Sequence, residues 1–170
     1  LSVSATTRPP RPGEVDGVHY HFVTRAEFER MIAENGVLEY NVYNGNYYGS
    51  PRGPIEEELR KGHDVILEIE TNGAGHIRRM FPSALSIFVL PPTFEELKKR
   101  LIGRGTESPE EIQARLEKGR KEIEMALDYD YIVVNDQVET AACRLAEIIR
   151  SARWSKKFNQ SFIQEMLNNA

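Results

Sequence analysis

Cysteine is almost missing from this chain of 170 residues, with Cys143 the only one. That excludes an intramolecular disulfide and a cysteine-based zinc site, and it is compatible with a reducing cytosol. No apolar run approaches the ~20 residues of a membrane span, so no membrane partner is expected. No signal-peptide pattern is found; the chain opens on Leu1 rather than Met, and the native N-terminus is expected upstream. Excess positive charge is lacking too. The net charge of −4 argues against broad nucleic-acid binding, which usually needs a basic face. Repeats and low-complexity stretches are absent. The 4 histidines show no metal-ligand spacing, and no Ser-His-Asp or Cys-His arrangement can be argued. What remains is 40% hydrophobic and 28% charged residues, enough for one sizeable core in a single soluble domain. A local basic patch in such an acidic chain points to a small anionic ligand.

Leu1 to Ser4 reads as part of a strand, and Val18, Tyr20 and Phe22 alternate with histidines as a half-buried one. Thr24 with Glu27 forms a capping box ahead of the apolar face Phe28, Met31 and Ile32, and Gly36 suits the helix stop. A strand over Val37–Tyr43 leads into the tight-turn signal Asn44-Gly45. A short helix is expected around Pro54–Lys61. The run Val65-Ile66-Leu67-Glu68-Ile69 reads as a buried parallel strand rather than an alternating one. A helix from about Ala74 and a strand over Ser86–Leu90 come next. Thr93 with Glu96, and Ser108-Pro109-Glu110-Glu111, supply two further helix starts. A strand over Tyr131–Val134 and helices near Val138–Ser151 and Asn159–Leu167 complete the chain. Strands alternating with helices indicate an α/β parallel sheet, and the 18–60 region is a strand-rich insertion on it.

Residues 6 to 12 carry the first chemical signal, Thr-Thr-Arg-Pro-Pro-Arg-Pro. Residues before proline are pushed out of the helical region, so the stretch should be extended or polyproline-II-like. Arg8 and Arg11, three apart, then project to one side as a clamp for a phosphate or carboxylate. The same stretch can also be a proline-rich surface loop. Glu68 and Glu70 lie at the carboxyl end of the expected strand, on one side of it. They can bind base amino groups, hold Mg²⁺ through water, or serve as a helix cap and a salt bridge. Glu39 can accept two N–H donors from a guanine edge, or be a solvated strand residue. Tyr20 and Tyr48 can donate a phenolic O–H to a phosphate, stack on a base, or edge the core. Arg100, Arg104 in Gly103-Arg104-Gly105, and Arg115 suit a lid closing over transferring phosphates. Ordinary surface charges on a helical hairpin would look the same.

Several stretches resemble the guanylate kinase family, whose enzymes move the γ-phosphoryl of ATP onto GMP: Ser2-Val3-Ser4, Thr6 to Glu14, Asp16 to Tyr20, Gly45 to Ser50, Gly103 to Thr106 and Val133 to Asp136. The resemblance runs from Leu1 to about Ile149. It implies that Arg8, Arg11, Tyr20 and Tyr48 bind the GMP phosphate. Ser4, Glu39 and Ser50 would read the guanine, with Glu68 and Glu70 completing the GMP side. Arg100, Arg104 and Arg115 look like lid and phosphoryl-transfer arginines, with Arg8 beside them as a catalytic candidate. Asn135 and Arg104 fall on the ATP side. The implied fold is α/β: a P-loop nucleoside-monophosphate-kinase-like parallel sheet flanked by helices. It would carry a strand-rich GMP-binding insertion over about 5–60, a core from about 1–4, 61–93 and 128–150, a lid over about 94–127 and a helical tail over 151–170. Implied are Mg²⁺ with ATP as cofactor, GMP and ATP as partners, a monomer or homodimer, and a cytoplasmic location.

The chain departs from the family in three places. Glu70-Thr71-Asn72-Gly73-Ala74 stands where the family commonly has Asp-Val-Gln-Gly-Ala, so Glu70 is one methylene longer and its contact is expected to shift. The tail beyond Arg150 lies outside the resemblance. No G-x-x-x-x-G-K-[ST] loop occurs, although family members cradle ATP phosphates with one. A few tens of residues are therefore expected to be missing from the N-terminal side; the rival expectation is a natural loop-less member. The residues at hand are expected to bind GMP with little or no turnover. The competing function is an inactive guanylate-kinase-like module that binds GMP or phosphorylated peptides.

Overall fold

The backbone of residues 1–103 and 109–169 is described by the structure, a computed structural model. Two compact units divide the chain, Leu1–Pro82 and Ser83–Ala170.

In the first unit, β1 (Ala5–Thr6), β2 (His21–Phe22), β3 (Val37–Tyr43) and β4 (Asn46–Pro51) form one sheet in the order β2-β1-β4-β3. β1 and β2 run parallel; β4 is antiparallel to both β1 and β3. The β3–β4 hairpin turns at Asn44 and Gly45, both with positive φ, the backbone that an Asn-Gly tight turn needs. Helix α1 (Arg25–Ala33) starts at the expected capping box. The Glu27 N–H donates to Thr24 Oγ1 at 3.2 Å, and the Thr24 N–H donates to Glu27 Oε2 at 2.8 Å. It drives Phe28 into the core beside Ala5 and Val37, and the Phe28 ring stacks on Tyr47 with centroids 5.0 Å apart. Burial of this phenyl group is worth roughly 3–5 kcal/mol by the cost of truncating such rings. Gly49 makes the packing possible: a Cβ there would lie 2.6 Å from the Glu39 carbonyl oxygen and 3.0 Å from Phe28. Helices α2 (Arg52–Arg60) and α3 (Thr71–Met80) complete the unit.

Several expected elements shift. Strand β1 begins at Ala5, after the expected Leu1–Ser4, and the strand expected over 18–22 shrinks to His21–Phe22. Helix α3 starts at Thr71 rather than Ala74. The largest correction is 63–70, which forms no strand. The Ser2 N–H donates to the Ile66 carbonyl at 2.9 Å, but no ladder builds on this bond. Exposure there alternates: Val65, Leu67 and Ile69 are half-buried, while Ile66, Glu68 and Glu70 face solvent. An apolar run does not distinguish two buried faces from one.

In the second unit, β5 (Ile87–Leu90) and β6 (Tyr131–Val134) form a parallel pair. Around them in sequence lie α4 (Phe94–Gly103), α5 (Pro109–Glu124), a 3₁₀ turn (Met125–Asp128), α6 (Val138–Ala152) and α7 (Lys156–Asn168). Thr93 caps α4 through the Glu96 N–H at 3.1 Å, whereas the Glu96 carboxylate turns to Arg100 instead of closing the box. Ser108, the expected third cap, lies outside the described residues. Asp130 latches the unit, accepting from the Ser86 N–H, the Ser86 hydroxyl and Lys157, each at 2.8 Å. Burial pushes the Asp130 carboxyl up, and the Lys157 and Ser86 bonds outweigh it and hold it below the usual range. Lys157 also donates to the Ala84 carbonyl at 2.7 Å, which ties α7 to this unit. Cys143 and Trp154 are exposed. Among the described residues, no helix is long and apolar enough to cross a membrane.

Candidate functional site

Strand register gathers most of the expected site residues. Phe22 pairs with Thr6, Thr6 with Tyr48, and Tyr48 with Asn41, giving one row across the sheet. Glu39 pairs with Ser50 in the neighbouring row. Side chains two residues apart share a face, so Tyr20 and Ser4 continue this second row. Tyr20, Ser4, Ser50, Glu39 and Tyr48 therefore belong to one face. The alternate positions, Ala5, Gly49 and Tyr40, turn to Phe28. Ring contact agrees, with Tyr20 and Tyr48 edge to face at 6.1 Å.

Arg8 stands at the end of β1 on this face. Its guanidinium lies 5.5 Å from the Tyr20 ring centroid and 5.7 Å from that of Phe22, within cation–π range. Glu14 grips it twice: Nη1 donates to Oε2 and Nη2 to Oε1, both at 2.9 Å. Both side chains are largely covered. The Glu14 bond, helped by Tyr48, holds the guanidinium more firmly protonated than usual, and Arg8 lowers Glu14 to about 2. Residues 9–11 are in neither helix nor strand, and a turn follows them. The Glu14 N–H returns to the Arg11 carbonyl at 3.0 Å, with Pro12 and Gly13 (φ 86°) at the two central positions of a type II turn. Arg11 lies at the exposed start of that turn, and only its backbone N–H is drawn in, to Glu14 at 2.6 Å.

Glu39 is buried, and its Oε1 accepts from Ser50 Oγ at 2.7 Å. Burial raises its pKa against the opposing pull of the Ser50 bonds and His76. A buried carboxylate of this kind gains from any N–H donor brought to it. Gly73 of α3 comes close enough that a Cβ there would sit 2.9 Å from the Glu39 carboxyl carbon. Glu70 is the N-cap residue of α3, where negative charge is favoured, and Asn41 Nδ2 donates to it across to β3. Glu68 is exposed on the segment that forms no strand. The shared side expected of Glu68 and Glu70 leaves both on the exposed half of an alternating segment, with Glu70 committed to Asn41. Ser4 is half-buried, and its carbonyl accepts from the His21 N–H at 2.9 Å.

The remaining candidates belong to the second unit. Arg100 pairs with Glu96 one turn back, Nε to Oε1 at 2.9 Å, on the surface of α4. Arg115 is half-buried on α5. Arg104 lies outside the described residues. Asn135 follows β6, and its N–H donates to the Leu90 carbonyl at 2.8 Å. Beside that bond an open hollow of about 420 Å³ is lined by Leu90, Pro92, Phe94 and Arg120, among others.

Glu14, Asn41 and Gly73 were not singled out from the sequence. Pro12-Gly13 was the available signal for Glu14, because a proline-glycine turn returns the chain three residues on. Asn41 sits two residues from Glu39, hence on the same face. Nothing in the sequence marks Gly73 as a close approach.

A family model described as guanylate kinase matches residues 1–152. A guanylate kinase of Thermus thermophilus is 53% identical over 152 residues, covering 89% of this chain and 69% of that protein. One of Neisseria gonorrhoeae is 48% identical over 170 residues, covering 100% and 83%. The crystal structure of guanylate kinase from Anaplasma phagocytophilum superimposes with a TM-score of 0.78 at 36% identity, covering 92% of this chain and 77% of that one.

Proposed function

This chain belongs to the guanylate kinase family, and from that premise we propose that it takes GMP on the face of the β2-β1-β4-β3 sheet that carries Tyr20, Tyr48 and Glu39 for ATP-dependent phosphorylation to GDP. Arg8, Arg11, Tyr20 and Tyr48 hold the phosphate. Glu39, Ser50 and Ser4 read the base, and the exposed carboxylates of Glu68 and Glu70 complete the GMP side. The observation that carries this reading is the pair of neighbouring rows that puts a partnered guanidinium and a buried carboxylate on one sheet face. A guanine edge offers two N–H donors to Glu39, while adenine presents an acceptor there, leaving the carboxylate unpaired at a cost of about 1–3 kcal/mol. The phosphate replaces water around Arg8 with charge-assisted bonds, and the tyrosine rings hold that fork in place.

Arg100, Arg104 and Arg115 are assigned to the charge that spreads over the phosphoryl oxygens during transfer, as lid residues of 94–127. Asn135, beside the hollow at Leu90 and Phe94, is assigned to the adenine of ATP. Mg²⁺ enters with ATP as the metal–nucleotide substrate. The carboxylates of Glu68 and Glu70 can hold it through water. Residues 1–170 alone carry GMP binding with little turnover, since their sequence holds no phosphate-loop motif. Calorimetry of the chain against GMP and AMP tests the reading. GMP should bind and AMP should not compete, and Glu39→Ala should cut the GMP-over-AMP preference at least tenfold, about 1.4 kcal/mol. Unaltered selectivity would remove Glu39 from the base site.

A further inference from the structure

We propose that Glu14 is a positioning residue for the phosphate site, fixing which edge of the Arg8 guanidinium faces the ligand. The inference rests on the reading that this sheet face takes GMP. A planar guanidinium has five N–H donors and two edges able to take an oxyanion in bidentate fashion. In this chain one edge is spent. Both Nη1 hydrogens are committed, one to the Pro9 carbonyl at 2.7 Å and one to Glu14 Oε2 at 2.9 Å. One Nη2 hydrogen goes to Glu14 Oε1 at 2.9 Å. The two donors that neither Glu14 nor Pro9 takes, the Nε–H and the second Nη2–H, lie side by side on the adjacent edge. That edge has the spacing of two phosphate oxygens. Among the described residues the contacts of Arg8 put no carboxylate or carbonyl on that edge, and the Tyr48 hydroxyl, a hydrogen-bonding partner of the guanidinium, is the group a phosphate oxygen would share it with.

Glu14 is itself fixed. Oε2 also accepts the Arg11 N–H at 2.6 Å, and the turn bond from the Glu14 N–H to the Arg11 carbonyl closes at 3.0 Å. One carboxylate therefore sets the rotation of the Arg8 fork and ties the backbone of Arg11 to it. Without Glu14 the guanidinium is free to turn about its own long axis, and that freedom is lost on binding. A long side chain already held in its bound orientation surrenders little further freedom to the ligand. The negative charge of Glu14 opposes the phosphate, yet Arg8 offsets it at contact distance and Arg11 adds a second positive charge nearby, so the group as a whole stays positive.

The test is calorimetry of the full chain with GMP and with guanosine, using the unaltered protein, Glu14→Gln, Glu14→Ala, Arg8→Ala and the double variant R8A/E14Q. Glu14→Gln keeps the side-chain volume should Glu14→Ala not fold. Glu14→Ala should raise the Kd for GMP about tenfold and Glu14→Gln roughly threefold or more, the scale of losing charge-assisted ordering. Guanosine affinity should stay unchanged. In the Arg8→Ala background Glu14→Gln should change GMP affinity less than about twofold, because a residue acting through Arg8 has nothing left to orient. Equal or tighter GMP binding by Glu14→Gln overturns the proposal and marks the carboxylate as a repulsive neighbour. Equal losses for GMP and guanosine, or an undiminished effect without Arg8, also overturn it and leave Glu14 a structural residue. Failure of the unaltered chain to bind GMP is a separate result, which removes the reading of the sheet face and this inference with it.

Discussion

The two units hold their arginines in different ways. In Leu1–Pro82, Arg8 is fixed by a carboxylate from a turn six residues on and by rings from another strand. In Ser83–Ala170, Arg100 is held by Glu96 one turn away on its own helix, with the guanidinium and its partner both substantially exposed. The first arrangement exists only once several strands have come together, so it is rigid before any ligand arrives. The second needs nothing beyond a helix and lets go at small cost, since surface pairs of that spacing contribute about 0.3–0.5 kcal/mol. A site that must be shaped in advance suits the first kind of arginine. One that must swing toward a charge appearing later suits the second.

Four measurements sharpen or break that contrast. The largest effect should come from Gly49→Val, which sets a branched side chain against the Glu39 carbonyl and Phe28. The overpacking should cost about 3 kcal/mol by urea denaturation and blunt the near-ultraviolet circular dichroism of the stacked rings. A fully stable variant would mean that the sheet yields easily and that rigidity does not distinguish the first unit. Asp130→Ala should cost about 2 kcal/mol, because Ser86 and Lys157 lose a shared charged acceptor. A loss below about 0.5 kcal/mol would make the second unit local throughout.

Acid should then separate the unaltered chain from Glu14→Gln. The Glu14 pKa lies at about 2 in the folded chain against 4.5 for the free carboxyl. Its stabilisation is complete above pH 4.5 and disappears as pH falls through about 2. Denaturation curves of the two proteins should differ at about pH 7 and converge near pH 2; a gap independent of pH would argue against the ion pair. The smallest effect is expected from Arg100→Ala, below about 0.5 kcal/mol in stability. A larger loss would show that this arginine is built into the fold like Arg8.

The sequence was legible where structure is set by near neighbours. The Thr24–Glu27 box lies within one turn of α1, and the bounds of β3 and β6 follow from β-rich runs between turn signals. The α/β class follows from the same punctuation. The stretch 63–70 was misread because an apolar run carries no information about how many faces will be covered. For the site, residue types were readable but their grouping was not. Tyr20, Ser4, Ser50 and Glu39 share a row only through the register of three strand pairs. The Arg-Pro-Pro-Arg stretch was read by itself, and the Pro12-Gly13 turn that brings Glu14 back to Arg8 was left out of that reading. The family resemblance named Glu39 and Ser50 without revealing the bond between them.

The placement of the single thiol and the single indole has a practical consequence. Cys143 and Trp154 both lie beyond residue 82, and both are exposed. A maleimide dye will therefore report from the second unit alone. Tryptophan emission will be a background against which tyrosine absorbance, drawn mostly from Tyr20, Tyr40, Tyr43, Tyr47 and Tyr48, can be followed separately. No substitution is needed to tell the two units apart optically.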